Sequence, residues 1–235
     1  MKLSLIVPMY NESAIIADSA RTYFEYLSAH FEDFELIFVD DGSADDCAAR
    51  VEALHLPATR VIRYTPNQGK GNAVKTGMLA ATGDVRMFLD ADVAYGVEVI
   101  GRAAALFAEH PDKDLVIGSR PLHPEGYAGY TLLRKLASET YIKVLNVTGG
   151  FRLSDSQCGC KAYRGPAAEA IFARTETKGF AFDFETILWA QKLGYGIVEM
   201  PVKIVNHRES KVNVFRDTFR MLSELRAIKA RVKKG

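Results

Sequence analysis

The sequence is poor in several features that mark protein classes. It has three cysteines and one tryptophan in 235 residues. Cys47, Cys158 and Cys160, with a single C-x-C pair, make neither a disulfide framework nor a four-ligand zinc site, and they suit a reducing compartment. No apolar run approaches the roughly 18–20 residues of a membrane span. The start, Met1-Lys2-Leu3-Ser4-Leu5-Ile6-Val7-Pro8, is too short an apolar run for a signal peptide. Internal repeats and low-complexity linkers are absent. A formal net charge of +1 gives the whole molecule no pull toward nucleic acid. What is present is 48% hydrophobic and 25% charged, ordinary for a globular chain long enough to bury one good core.

The chain is organised around Arg86-Met87-Phe88-Leu89-Asp90-Ala91-Asp92. A short apolar run after the turn Thr82-Gly83-Asp84 reads as a buried strand. In extended chain, side chains two apart point the same way, so Asp90 and Asp92 aim together from its carboxyl end. Two carboxylates that close repel unless a positive charge sits between them. Mg²⁺ and Mn²⁺ suit such a pair, because they take oxygen ligands and share them with substrate phosphates.

Residues 3–7, 34–39 and 60–64 read as further buried strands, and Pro8 is expected to end the first. Apolar residues at near-helical spacing predict a helix over 14–30, with Asn11 or Ser13 as its cap. Strands alternating with helices indicate a mostly parallel central sheet flanked by helices. Ligands of such sheets sit at the carboxyl ends of the strands. Glu12, Asp40, Asp41, Asp90 and Asp92 all fall at such ends.

Asn67-Gln68-Gly69-Lys70-Gly71-Asn72 opens a helix predicted over 73–81 and can offer backbone N–H groups and a lysine to a phosphate. It is not a P-loop, since Gly71 stands where that motif needs serine or threonine. Helices are expected over 97–110 and 132–147, and a strand over 115–118. Leu153–Tyr163 reads as a site-lining strand with Asp155 and Gln157 on one face and two small buried thiols on the other. In Gly179-Phe180-Ala181-Phe182-Asp183-Phe184-Glu185 the period-two alternation lets Asp183 and Glu185 face a cleft, ahead of a helix over 186–193; the alternative is an acid pair that favours the N-terminus of that helix. A last strand falls within 196–205. Residues 212–234 form a basic amphipathic helix, suited either to an anionic membrane surface or to packing on its own domain.

Taken together, Val7-Pro8-Met9-Tyr10-Asn11-Glu12, Asp40-Asp41-Gly42-Ser43, Asn67-Gln68-Gly69-Lys70-Gly71 and Asp90-Ala91-Asp92 resemble the ordered signature of family 2 glycosyltransferases with the GT-A fold. Asp155-Ser156-Gln157-Cys158-Gly159-Cys160-Lys161 and Phe182-Asp183-Phe184-Glu185 are similar to dolichyl-phosphate glucosyltransferases and their relatives, the dolichyl-phosphate mannose synthases. The resemblance spans about residues 3–211, taken as an α/β catalytic domain over 1–211 followed by the 212–235 helix.

That resemblance implies an inverting, Mg²⁺- or Mn²⁺-dependent transfer of a hexose from a nucleotide sugar to a polyprenyl phosphate. It implies that Pro8, Tyr10, Asn11, Glu12, Asp40 and Asp41 serve the base and ribose, and that Lys70 sits near them or the phosphates. Asp90 and Asp92 would flank the diphosphate and hold the metal. Gln157 would lie near acceptor or sugar, with Asp183 and Glu185 lining the sugar pocket. Arg208, Ser210 and Lys211 match a basic loop that closes over phosphate. A hydroxyl acceptor would instead need a base, for which Asp155 and Asp183 are equal candidates. The Asp-Ser-Gln-Cys-Gly run favours UDP-glucose over GDP-mannose.

Departures qualify the match. Ala94 and Ile204 replace a glutamine and a tryptophan usual in relatives, and Cys160 replaces an aromatic. Relatives carry membrane helices that this chain lacks. Lipid access must then use the tail helix, residues 121–147 or a partner, unless the chain is a trimmed piece or the acceptor is not a lipid. The expected location is cytoplasmic, peripheral on the membrane face. The competing readings are a family 2 enzyme acting on a sugar or protein hydroxyl, a nucleotidyltransferase, and a silent nucleotide-sugar binding module. The nucleotidyltransferase would need a Leu-x-x-Gly-x-Gly-x-Arg loop that is absent.

Overall fold

The computed structural model describes residues 1–206 and 214–235, with side chains described everywhere there except 133–134 and 214–223. Seven strands form one sheet: β1 (Leu3–Met9), β2 (Phe34–Asp40), β3 (Thr59–Arg63), β4 (Val85–Leu89), β5 (Leu115–Ser119), β6 (Cys160–Arg164) and β7 (Ile197–Pro201). Their order across the sheet is β3-β2-β1-β4-β6-β5-β7. β1 pairs in parallel with β2 and β4, β2 with β3, and β5 with β7. Only β6 runs antiparallel, wedged between β4 and β5.

The parallel strands carry near-continuous apolar runs because both sheet faces are covered. Leu3, Leu5 and Val7 of β1 pack into one core, and Ile6 points into the other. The first core is closed by α1 (Ile16–His30), α2 (Cys47–Glu52) and α4 (Glu98–Glu109), through Tyr23, Leu27, Val51, Ile100 and Phe107. The second is closed by α3 (Lys70–Ala80), α5 (Leu132–Gly149), α6 (Gly165–Arg174), α7 (Phe182–Lys192) and α8 (Val214–Lys234).

Four expectations change. Pro8 does not end β1, which runs on to Met9. Pairing with β4 stops at Ile6, so Pro8 sits where β1 is paired on the β2 side alone and its missing N–H costs little. Neither Asn11 nor Ser13 caps α1, whose N-cap position is Ile15 without a side-chain bond. Instead Asn11 Oδ1 accepts the Ala44 N–H at 2.8 Å, tying the β1 and β2 exits together. Residues 153–159 are loop, and the strand starts only at Cys160. The Phe182–Glu185 run is the first turn of α7, and all four side chains are buried.

The tail helix is packed rather than free. Leu225, Ile228 and Val232 are buried against the second core, and Lys192 Nζ donates to the Val232 carbonyl at 2.6 Å. No helix among the described residues is long and apolar enough to cross a membrane.

Candidate active site

β1, β2 and β4 end side by side, and a cavity of about 520 Å³ opens over their carboxyl ends. Its walls include Pro8, Tyr10 and Glu12 after β1, Asp41 after β2, Lys70 at the start of α3, and Asp90 and Asp92 after β4. Arg120 after β5 and Asn206 after β7 complete the rim. The two outer strands therefore reach the same cavity as the inner three.

Asp90 forms an ion pair with Lys70 and lies under Gly159. Burial pulls the Lys70 ammonium down, but the Asp90 charge and hydrogen bond outweigh it and raise the group overall. Burial first, and then the neighbouring Asp90 charge, push the Asp92 carboxyl above its ordinary value. Lys70 pairs directly with Asp90, and its field at Asp92 is outweighed there by burial and by the Asp90 charge, so negative charge at Asp92 is left poorly compensated. Hard oxygen donors with an unbalanced charge fit a divalent cation that draws its other ligands from a bound phosphate. No group of three His, Cys, Asp or Glu among the described residues could hold a metal alone.

The loop after Asp92 is braced. Val93 has φ +52°, a left-handed conformation that strains a branched residue. Asn206 Nδ2 donates to the Asp92 carbonyl at 2.7 Å and Val205 N–H to the Ala94 carbonyl at 2.8 Å. Those bonds hold the chain after β7 across the acidic turn.

Arg120 lines the cavity although the motifs did not single it out. Asp155 grips its guanidinium, Nε to Oδ2 at 2.6 Å and Nη2 to Oδ1 at 3.0 Å, and Nη1 donates to the Tyr130 hydroxyl at 3.0 Å. Burial opposes this charge, but Asp155 more than restores it, so Arg120 stays cationic at the cavity wall. The available signal was its place directly after β5, at a strand's carboxyl end.

Of the expected site residues, Pro8, Tyr10, Glu12, Asp41, Lys70, Asp90 and Asp92 line the cavity together. Asp41 does so while accepting from Tyr64, Asn67 and the Gln68 and Gly69 N–H groups, which fixes the glycine-rich loop. Asn11, Asp40, Asp155, Gln157, Asp183 and Glu185 are not among the lining residues. Asp40 takes the Ser43 N–H at 2.9 Å and faces Arg63 at 3.5 Å. Gln157 follows the loop bend, its N–H donating to Asp155 at 3.1 Å. Asp183 is buried against Lys161 Nζ at 2.5 Å, and Glu185 against Arg231 at 2.9 Å. Helical rather than extended backbone is the cause: a first helical turn sends both acids into the core. Arg208, Ser210 and Lys211 lie outside the described residues.

Residues 4–172 match the model of glycosyl transferase family 2. The chain belongs to that family. A dolichyl-phosphate beta-glucosyltransferase of Dictyostelium discoideum is 29% identical over 245 residues, covering 97% of this chain and 74% of that protein. The Mus musculus protein of the same name is 30% identical over 251 residues, covering 100% of this chain and 76% of the relative. Among solved structures, glucosyl-3-phosphoglycerate synthase from Mycobacterium tuberculosis superposes with a TM-score of 0.73 at 19% identity, over 98% of this chain and 78% of that one. That structure is a complex with Mn²⁺, uridine diphosphate and phosphoglyceric acid. The shared architecture is the GT-A fold, and this family 2 chain is a glycosyltransferase.

Proposed function

We propose that this glycosyltransferase moves glucose from UDP-glucose to a polyprenyl phosphate, with inversion at the anomeric carbon. The observation that carries the reading is the cavity itself: an acid pair, Asp90 and Asp92, stands in one wall, and a buried, clamped cation, Arg120, in another. An acid pair suits a metal-bound donor diphosphate, and a fixed guanidinium suits a phosphate. The dolichyl-phosphate glucosyltransferase relatives support both the sugar and the acceptor class.

Asp90 and Asp92 would hold Mg²⁺ or Mn²⁺, which when bound neutralises charge on the leaving nucleoside diphosphate. The rest belongs to the chain. Pro8, Tyr10, Glu12 and Asp41 wall the end of the cavity assigned to the nucleoside. An acceptor phosphate oxygen attacks the anomeric carbon from the face opposite the diphosphate; the new carbon–oxygen bond forms as the bond to the diphosphate breaks. Lys70 and Arg120 supply fixed positive charge along that path. Arg208, Ser210 and Lys211, by resemblance, would add a basic loop over the phosphates.

A phosphate monoester is already anionic near neutral pH and needs no strong base. A hydroxyl acceptor would need one. Asp155 and Asp183, the two candidates for that role, are each tied to a buried cation, which supports the phosphate acceptor. The enzyme would work peripherally at the cytoplasmic face of a membrane.

Calorimetric titration with UDP-glucose and GDP-mannose, each with Mn²⁺ and with a chelator, tests the donor. Metal-dependent binding of UDP-glucose alone is expected, followed by glucosyl transfer to a polyprenyl phosphate. Binding of GDP-mannose alone would overturn the donor assignment, and transfer to a hydroxyl acceptor alone would overturn the acceptor.

A further inference from the structure

Glu199 lies in β7, an edge strand of the sheet, and is only partly exposed. Its register partner on β5 is Ile117, so its side chain shares the sheet face of Ile117 and Ser119. One carboxylate oxygen, Oε1, accepts three hydrogen bonds. They come from the Ser154 N–H at 2.8 Å, the Ser154 hydroxyl at 2.6 Å and the Asp155 N–H at 3.2 Å. Ser154 gives its one hydroxyl proton to Glu199, so Ser119 is the donor in the bond between the two serine hydroxyls. All three donors to Oε1 are neutral groups, so reach and direction, not charge pairing, define these bonds.

The bonds fix the loop that carries Asp155. Asn146 holds the residue before it, with Nδ2 donating to the Leu153 carbonyl at 2.8 Å and Oδ1 accepting the Leu153 N–H at 3.3 Å. Glu199 holds the next two. Two successive loop residues are thereby matched to two successive residues at the end of β5: Ser154 to Ser119, and Asp155 to Arg120. A loop that needed only anchorage could be held by apolar contact at a lower desolvation cost. A carboxylate that accepts from two successive N–H groups fixes direction as well as place. Direction matters here, because the Asp155 fork aims the Arg120 guanidinium, and Arg120 lines the cavity.

We propose that Glu199 is a positioning residue for Arg120: it sets residues 154 and 155 so that Asp155 presents the guanidinium to the cavity. Glu199 itself is not among the residues lining that cavity. That the cation so presented meets the acceptor phosphate rests on the function proposed above; the positioning does not.

Two variants separate reach from charge. Glu199→Gln keeps an oxygen acceptor at full reach and loses the charge. Glu199→Asp keeps the charge and falls one methylene short. The first readout needs no substrate: the Arg120 Nε–H resonance in the full chain with isotope-labelled arginine, identified by its loss in Arg120→Lys. It is expected to persist near its wild-type shift in Glu199→Gln, and to shift or broaden into solvent exchange in Glu199→Asp. The second readout is transfer, measured well below each variant's melting point. Glu199→Asp should lower kcat/KM by about tenfold or more and Glu199→Gln by less than about threefold. In an Arg120→Lys background, Glu199→Asp should cost less than about twofold, because both changes act on one group. An Arg120 resonance unmoved by Glu199→Asp overturns the proposal. So do kinetic losses that add in the double variant, or a Glu199→Gln protein impaired where Glu199→Asp is not. The loss is expected in KM for polyprenyl phosphate, with Mn²⁺-dependent UDP-glucose binding unchanged. A moved resonance with the loss in donor binding instead, in Glu199→Asp and Arg120→Lys alike, would keep the positioning role and remove the acceptor phosphate from Arg120.

Discussion

Arg120 and Asp155 meet through two parallel hydrogen bonds, 2.6 and 3.0 Å long, at the edge of the cavity. Asp155 is fully buried and Arg120 nearly so, yet Arg120 still reaches the cavity wall. If Asp155 serves to hold that cation in place rather than to take a proton, two variants show it. Arg120→Lys keeps the charge and loses the fork, and transfer efficiency should fall by about tenfold or more while the fold survives. Asp155→Ala leaves a buried cation without its partner and should lower stability by about 3–5 kcal/mol. Urea unfolding and steady-state kinetics measure the two effects. A stable Asp155→Ala protein with wild-type kinetics would remove the pair from the site.

Asp92 gives a pH-dependent prediction. Its carboxyl is raised by burial and then by Asp90, so the folded protein holds this proton more tightly than the unfolded chain does. Ionising Asp92 then costs stability as pH rises from the ordinary carboxylate range through the raised value. A divalent cation bound there would reverse that cost. Asp92→Asn should melt higher than wild type at neutral pH without metal, lose the further rise that Mn²⁺ and donor give, and show background transfer. In wild type, Mn²⁺-dependent stabilisation should fade as pH drops through the raised value, above the usual carboxylate range. Melting curves with and without Mn²⁺ across pH decide it; an undiminished Mn²⁺ response in Asp92→Asn would reject its role.

These two residues also mark what sequence can show. Asp92 was legible because a strand's carboxyl end and a period-two pair fix both position and direction locally. The same local rule found Glu12, Asp41 and Asp90, and the alternation of apolar runs found the sheet. The pairing of Asp155 with Arg120 was not legible, because that partner lies 35 residues away at the end of β5. Asp183 and Glu185 do not line the cavity for a different reason, and the alternative reading of them, an acid pair at a helix start, matches the first turn of α7. Alternating aromatics and acids over four residues read as extended chain, and tertiary packing made them the first turn of α7. The tail helix was periodic but gave no sign of where its apolar face would go.

Gly159 explains the small residue in the Gln-Cys-Gly-Cys run. A Cβ there would stand 2.1 Å from Asp90 Oδ2 and 2.7 Å from its Cγ. Asp90 is also held by Lys70 and cannot rotate away without losing that pair. Gly159→Ala should therefore weaken Mn²⁺-dependent donor binding sharply while moving the melting temperature little, since the clash falls on a side chain at a cavity rather than on the core. Calorimetry beside a thermal melt separates the two. Equal losses in both would mean that the glycine serves the fold alone.

Glu185 and Arg231 test the reassignment of the second acid. Glu185 Oε2 accepts the Thr177 N–H at 2.7 Å and the Glu176 N–H at 3.2 Å, while Oε1 takes Arg231 Nη1 at 2.9 Å. The loop it holds packs on the start of α3: a Cβ at Gly71 would lie 2.6 Å from the Thr177 carbonyl, and Asn72 N–H donates to the Lys178 carbonyl at 3.2 Å. Glu185 thus supports the segment carrying Lys70 from behind, without facing the cavity. Glu185→Ala should cost about 1–3 kcal/mol for each buried donor left unsatisfied, and Arg231→Ala less, because Arg231 is partly exposed. Measured well below its melting point, Glu185→Ala should retain most of its transfer rate with saturating donor. A variant of wild-type stability whose KM for the nucleotide sugar has risen would instead return Glu185 to the sugar pocket, where the sequence motif had put it.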